Sequence, residues 1–159
     1  MNPQKVYAIS REKKGVRATV RMTIPPAGRG SMPLPLHHVV RHSPDGFNFG
    51  YSGSGPSDLA LSILWDCFGK IVAEEFYVDF RDHFLKPIAD DIKAFSITQS
   101  EIENWIAPMG ARLLKLAERA RENSLIDAQI PDDAWEIISA AIKPDAVFDP
   151  DAPAGRRFS

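Results

Sequence analysis

Residues 46–64, GFNFGYSGSGPSDLALSIL, hold the feature that most constrains the fold of this chain. Up to Tyr51, aromatic residues alternate with small or polar ones, which is the period-two pattern of a strand. Three glycines fall within the six residues 50–55. Pro56 then begins a stretch in which apolar residues recur at three- and four-residue spacing. That spacing is typical of a buried helical stripe. The chain is therefore predicted to pass from sheet to helix at this glycine-rich bend.

Two hairpins are predicted before the bend. Residues 16–24 alternate apolar side chains with threonines and arginines, and residues 5–11 form a strand-like run that reaches them through a turn at Gly15. Residues 36–42 and 47–51 are predicted to form a second hairpin, because the SPDG between them has the proline and glycine that a type I turn prefers.

Helices are predicted from Pro56 onward, with a break at Pro87. Thr98 and Glu101 have the spacing of a capping box, so a helix is expected to begin there. Pro108 should bend or divide that helix, because its ring removes a backbone donor. A last short helix is predicted over 131–142.

The predicted fold class is α+β, with a small antiparallel sheet of about four strands in two hairpins packed against C-terminal helices. Residues 1–142 are expected to form one domain, mainly strand over 1–55 and mainly helical over 56–142. Residues 143–159 form a proline-rich irregular tail in this interpretation. A chain of 159 residues is long enough to bury a sizeable core as a single unit.

Composition indicates a soluble cytoplasmic protein. No apolar run reaches the roughly 18 residues that a membrane span needs, and the N-terminal residues lack the apolar core of a signal peptide. The single cysteine, Cys67, cannot form an internal disulfide and falls on an apolar helical stripe, where an unreactive core thiol is expected.

Charge is distributed unevenly along the chain. Residues 1–43 carry eight cations and one anion, a net charge of +7, whereas the remainder has eleven cations and twenty anions, a net charge of −9. Four cations, Lys13, Lys14, Arg17 and Arg21, define a basic surface on the first hairpin. They are candidates for phosphate contacts with a nucleic acid, although a solvated sheet face explains the same alternation.

The bend is also a candidate binding site, formed by Tyr51, Ser52, Gly53, Ser54 and Gly55 with Arg41 and His42. Free amides followed by a helix start attract anions. Neither GxGxxG nor the lysine-containing phosphate-loop motif is present, and Asp58 is expected at the third helical position, where it would repel a phosphate. A steric corner is therefore favoured over an anion cradle.

No catalytic residue, metal or cofactor is assigned. Ser52 and Ser54 lack the full GxSxG pattern of a nucleophile elbow. His38 and His42 would be about 13 Å apart on a strand at ~3.3 Å per residue, which is too far to share a metal ion.

The run HSPDGFNFGYSGSGPSDLALSIL, with the later ITQSEIENWI, resembles an uncharacterised domain-of-unknown-function family of small bacterial and phage proteins. The shared pattern reads HSPxGFxxGYxGSGPxxLALxIL and spans about residues 37–106. The resemblance brings no activity, cofactor or catalytic residue. It implies a mobile-element context, in which small proteins act by binding a larger host machine.

Three functions follow from these observations. The first is a non-enzymatic binding protein, an accessory or anti-defence factor that engages a host protein complex. The alternative is a small nucleotide- or phosphate-binding enzyme that uses the 50–57 loop. The second alternative is nucleic-acid binding through the basic hairpin.

Overall fold

The computed structural model describes residues 5–23 and 33–122 of the chain. Four strands form one antiparallel sheet in the order β3-β2-β1-β4: β1 (Val6–Ser10), β2 (Thr19–Thr23), β3 (Leu34–Pro35) and β4 (Ala94–Thr98). Four α-helices accompany it: α1 (Ser54–Phe68), α2 (Lys70–Phe80), α3 (Gln99–Ile106) and α4 (Gly110–Glu122). A π-helical turn (Arg81–Leu85) extends α2, and a 3-10 turn (Ala107–Met109) separates α3 from α4. The predicted α+β class with a four-stranded antiparallel sheet is confirmed.

The first hairpin forms as its alternation predicts. Tyr7 and Ile9 of β1 pair with Met22 and Val20 of β2, and these four side chains are buried on one face of the sheet. They join the core that surrounds α1, which is buried along most of its length because its sequence is apolar on nearly every side. The opposite face of the sheet carries small and polar side chains and is exposed.

The predicted second hairpin over 36–51 is wrong. Within residues 33–53, only Leu34 and Pro35 form a ladder with β2, and an isolated bridge joins Ala18 to Phe47. Residues 36–53 otherwise form a loop, which is held by side chains of α1 and α2 instead of by strand ladders. The fourth strand comes from 94–98, where no strand was predicted.

The helix boundaries agree with their local chemistry. Gly69 has φ +86° and ends α1, since its conformation is one that other residues rarely adopt. Thr98 accepts a hydrogen bond from the Glu101 amide and Glu101 accepts one from the Thr98 amide, so the predicted capping box is present. Pro108 lies in the 3-10 turn and divides the helix, as predicted. The helix predicted over 131–142 and the tail lie outside the described residues.

Within the part of the chain that the structure describes, no helix is both long and apolar enough to cross a membrane.

Candidate functional site

The helix after the bend begins two residues earlier than predicted, at Ser54. Gly53 is its N-cap residue, and Gly53 O accepts hydrogen bonds from the Ser57 amide (3.1 Å) and the Ser57 hydroxyl (2.7 Å). The amides of Gly53, Ser54 and Gly55 meet no acceptor among the described residues. Three unpaired donors therefore lie at the positive end of the helix dipole.

Packing against Tyr51 explains the glycines of the bend. A Cβ atom at Gly53 would collide with the Tyr51 ring, and one at Gly55 would lie 2.9 Å from Asn48 Cβ and 3.1 Å from Tyr51 Oη. Gly50 has φ +89°, and a Cβ there would lie 3.0 Å from the Ile88 carbonyl oxygen. The bend is thus a close-packed corner, as favoured from the sequence, although its first amides remain unpaired.

Asp58 does not lie in the first turn of the helix, which corrects the prediction that it would repel an anion there. It is the fifth residue of α1, its side chain is fully buried, and it faces the loop. Asp58 accepts hydrogen bonds from the amides of Arg41 (3.1 Å), His42 (2.9 Å) and Ser43 (2.9 Å). His38 Nε2 lies 3.0 Å from Asp58 Oδ2 and donates to the ionised carboxylate.

Two opposing effects set the pKa of Asp58. Burial alone raises it, but hydrogen bonds from His38 and from the three loop amides outweigh burial, so the pKa is lowered from its ordinary value. The carboxylate stays charged, and its negative charge is stabilised by the hydrogen bonds that the loop donates.

Arg41 and His42 lie against α2 and do not line the cavity beside the bend. The Arg41 guanidinium is 2.6 Å from the Glu74 carboxylate, and the His42 ring stacks on Tyr77 at 5.6 Å between centroids. They were predicted to add positive charge at the glycine bend, but the structure places both side chains against α2 instead. Their role in the fold is to fasten the loop to the helix.

The four cations of the predicted basic surface point to different places. Lys14 forms an ion pair of 2.6 Å with Asp90, while Lys13 is exposed at the hairpin turn and Arg21 is exposed on the outer face of β2. Arg17 lies across Gly46, where a Cβ atom would be 2.6 Å from Arg17 Cδ. Within residues 5–23 and 33–122, Arg17 has no acidic partner and no hydrogen-bond acceptor.

A polar cavity of about 390 Å³ lies between the first hairpin, the 43–48 loop and the start of α1, and we call it the hairpin–loop cavity. Its lining includes Arg17, Asp45, Tyr51, Ser54 and Gly55. A second cavity of about 310 Å³ lies on the other side of Arg17 and includes Arg21 and His38. The structure thus brings the basic hairpin and the glycine bend together at Arg17, whereas Ser52 is exposed beside this cavity without lining it.

Arg11 was missed as a site residue. Its side chain is 5% exposed, and its guanidinium donates to Asn48 Oδ1 (3.1 Å) and Phe49 O (2.7 Å) while lying 3.8 Å above the Phe49 ring. Among the described residues, its Nε atom has no hydrogen-bond partner. The signal was present in the sequence, because Tyr7, Ile9 and Arg11 alternate along one face of the first strand.

Cys67 is a buried free thiol beside Tyr7, whose hydroxyl lies 3.0 Å from its sulfur. Burial raises the pKa of Cys67 to about 12, so the thiol is protonated and unreactive at neutral pH. Among the described residues, no group of three or more His, Cys, Asp or Glu side chains is placed to hold a metal ion.

Residues 10–108 match a family of unknown function, DUF6166. The chain belongs to this family. The matched region contains Arg11, Arg17, the glycine bend and β4, whereas α4 lies beyond it. No curated protein and no solved structure matches the chain.

Proposed function

We propose that this domain is a non-enzymatic, cytoplasmic binding protein that engages a host protein complex, and that an acidic side chain of the partner binds in the hairpin–loop cavity. The observation that carries this proposal is Arg17, an exposed guanidinium without an acidic partner in the described part of the chain, held over Gly46 at the cavity wall. The accessory or anti-defence role within this proposal follows from the mobile-element context that the HSPxGFxxGYxGSGPxxLALxIL pattern implies.

Arg17 has the chemistry that a carboxylate or phosphate requires. A guanidinium presents several donors in a planar fork, so it can bind two oxygens of one acidic group at once. Unpaired amides at Ser54 and Gly55 line the same cavity and add donors at the positive end of α1. Asp45 lines the same cavity, and its negative charge disfavours a densely charged polyanion. The cavity therefore suits a single acidic group on a protein.

Electrostatic steering supports the same side of the molecule. Lys13, Arg17 and Arg21 of the first hairpin are exposed, and their charges attract an acidic partner toward that hairpin before contact. The effect weakens with added salt because exposed charges are screened beyond about 10 Å at 0.1 M.

The test uses Arg17→Glu with Lys13→Glu as the matched control. Both variants make the same charge change on the first hairpin, but Lys13 does not line the cavity. Two-dimensional amide NMR follows the Ser54 and Gly55 resonances during titration with a peptide that carries a single glutamate between neutral residues and, separately, inorganic phosphate. We expect those two resonances to shift in the wild-type protein and in Lys13→Glu. Binding to Arg17→Glu should be weaker by roughly 10-fold or more, because a charged hydrogen bond contributes ~1.5–3 kcal/mol.

Affinity capture from host lysate with the same three proteins addresses the partner. A protein retained by the wild type and by Lys13→Glu but lost with Arg17→Glu supports the proposal. Equal retention by all three proteins, or unshifted Ser54 and Gly55 resonances, contradicts it.

A phosphate- or nucleotide-binding enzyme is the second candidate, and the unpaired amides of the glycine bend favour it. Titration with ATP in the same NMR experiment tests it. If ATP shifts Ser54 and Gly55 at lower concentration than the single-glutamate peptide and is then hydrolysed, the enzyme replaces the binding protein as the function. Unchanged ATP after incubation counts against the enzyme.

Nucleic-acid binding through Lys13, Lys14, Arg17 and Arg21 is the third candidate. It predicts affinity for DNA or RNA that falls steeply with added salt and is lost on charge reversal of Arg17 and Arg21 together. The ion pair of Lys14 with Asp90 reduces the cations available to phosphates. Binding that survives the double reversal rejects this surface.

A further inference from the structure

The two edges of the sheet differ in how they are protected. At one edge, β3 is only two residues long and contains Pro35, which are features that discourage further strand pairing. At the other edge, β4 has five residues, AFSIT, with no charge and no proline. Natural sheets seldom leave such an edge open, because its free backbone groups pair readily with another strand.

The register shows which backbone groups of β4 are free. Arg11 N donates to Lys93 O and Gln99 N donates to Lys5 O, both at 2.8 Å, so odd-numbered residues face β1. Even-numbered residues therefore direct their N–H and C=O groups away from β1. The Thr98 amide is consumed by Glu101 at 2.7 Å. Ala94 and Ser96 keep both backbone groups free among the described residues, and both residues are exposed.

These free groups complement a second copy of themselves. In an antiparallel arrangement, Ala94 of each copy can exchange two hydrogen bonds with Ser96 of the other, which gives four bonds around a two-fold axis. Pairing Ser96 with its own copy would give only two, because the Thr98 amide is already used. The four-bond register also places Phe95 opposite Phe95 of the second copy, where cross-strand side chains approach most closely.

Phe95 supports this register because it is not fully covered by its own chain. Its ring packs edge-on against Phe49 at 4.8 Å between centroids, yet the residue remains partly exposed. An aromatic pair across the axis would cover both rings. From the edge, the register and this side chain, we propose that two copies of the chain associate through β4 into one continuous eight-stranded sheet.

This pairing is independent of the proposed function, because no residue of β4 lines the hairpin–loop cavity. Each copy keeps its cavity open in the dimer. Arg17→Glu should therefore leave the dimer intact, so failure of one proposal is distinguishable from failure of the other.

The first test compares Ser96→Pro with Ser96→Thr by sedimentation equilibrium of the full chain. Proline removes an N–H that has no partner in the single chain, and edge strands tolerate it there. Threonine keeps that N–H and suits a strand. Because two hydrogen bonds of the dimer are lost by symmetry, we expect Ser96→Pro to weaken self-association by roughly 30-fold, at about fivefold per bond. Ser96→Thr should associate within threefold of the wild type.

The second test measures the register by disulfide formation and does not depend on the proline variant. Phe95→Cys places two thiols opposite each other across the axis, whereas Ser96→Cys places them out of register. Under mild oxidation we expect a covalent dimer from Phe95→Cys only, with the wild type as control for the buried Cys67. A wild-type chain that stays monomeric at millimolar concentration overturns the proposal. In that case the occupant of the β4 edge would be a strand of another protein. Equal association by the proline and threonine variants, or a covalent dimer from Ser96→Cys alone, also overturns it.

Discussion

Replacement of Asp58 by Asn should destabilise the domain strongly although it changes only one atom of the side chain. The carboxylate is fully buried, with Oδ2 accepting from His38, Arg41 N and Ser43 N and Oδ1 accepting from His42 N. An Asn side chain has one acceptor oxygen, and its NH₂ group would face at least one of these donors. The loop would lose its fastening to α1 at that point.

The magnitude follows from these four bonds. A hydrogen bond to a charged group contributes ~1.5–3 kcal/mol and a neutral one ~0.5–1.5 kcal/mol. If three bonds survive at neutral strength and one is lost, the midpoints of these ranges give a fall of about 6 kcal/mol in the free energy of unfolding. At roughly 2–4 °C per kcal/mol for a chain of this size, the melting temperature should fall by about 12–24 °C.

Urea unfolding at pH 7 and at pH 3 measures this effect, with Asp91→Asn as an exposed control. The pKa of Asp58 is lowered on folding, so its contribution is fully present above the unfolded pKa of about 3.9 and is lost as the pH falls through the lower folded value. The difference between wild type and Asp58→Asn should therefore shrink toward pH 3. A loss below 1 kcal/mol at pH 7, or a difference that does not decrease in acid, refutes the reasoning.

Two further predictions concern the glycines and the thiol. Gly50→Ala should lower the free energy of unfolding by about 2–3 kcal/mol, because Gly50 has a positive φ and an added Cβ would lie 3.0 Å from Ile88 O. Gly15→Ala is the control: Gly15 has φ +83° but lies in open space, so the loss should be only ~1 kcal/mol. Equal losses in urea melts would show that the contact with Ile88 O contributes nothing. Cys67 should not react with a thiol-reactive dye at pH 8 in the folded protein, because burial raises its pKa to about 12. It should react fully when guanidinium unfolds the chain. Rapid labelling of the folded protein would contradict this prediction.

Where neighbouring residues decide the structure, the sequence was sufficient to predict it. The alternation over 16–24 predicted β2, the Thr98 and Glu101 pair predicted the start of α3, and Pro108 predicted the division between α3 and α4. In each case the interacting groups lie within a few residues of one another.

The errors arose where distant residues decide the structure. Residues 41 and 42 were predicted as strand and Ser43 as the start of a turn, but the amides of all three bind Asp58, which is 15 to 17 residues away. β4 was missed because five residues before a helix gave too short an alternation, and its partner β1 lies at the other end of the domain. Local patterns contain no information about either pairing.

The candidate site was predicted in its parts but not in its assembly. Arg17 and the glycine bend were identified separately, and only the fold places them on one cavity. Arg41 and His42 were assigned to the bend from proximity in sequence, although contacts with Glu74 and Tyr77 direct them to α2.

The position of β1 has a consequence for how this protein acquires its structure during synthesis. Val6 pairs with Thr98, and the Arg11 guanidinium reaches the carbonyl oxygens of both Phe49 and Asp90. The Arg11 guanidinium can therefore complete these hydrogen bonds only after the chain has been made past Asp90, and β1 can pair with β4 only after Thr98. Forming such distant contacts is slow. A nascent chain that ends at the glycine bend should remain unfolded, so a ribosome pausing there would present the unprotected first hairpin to chaperones.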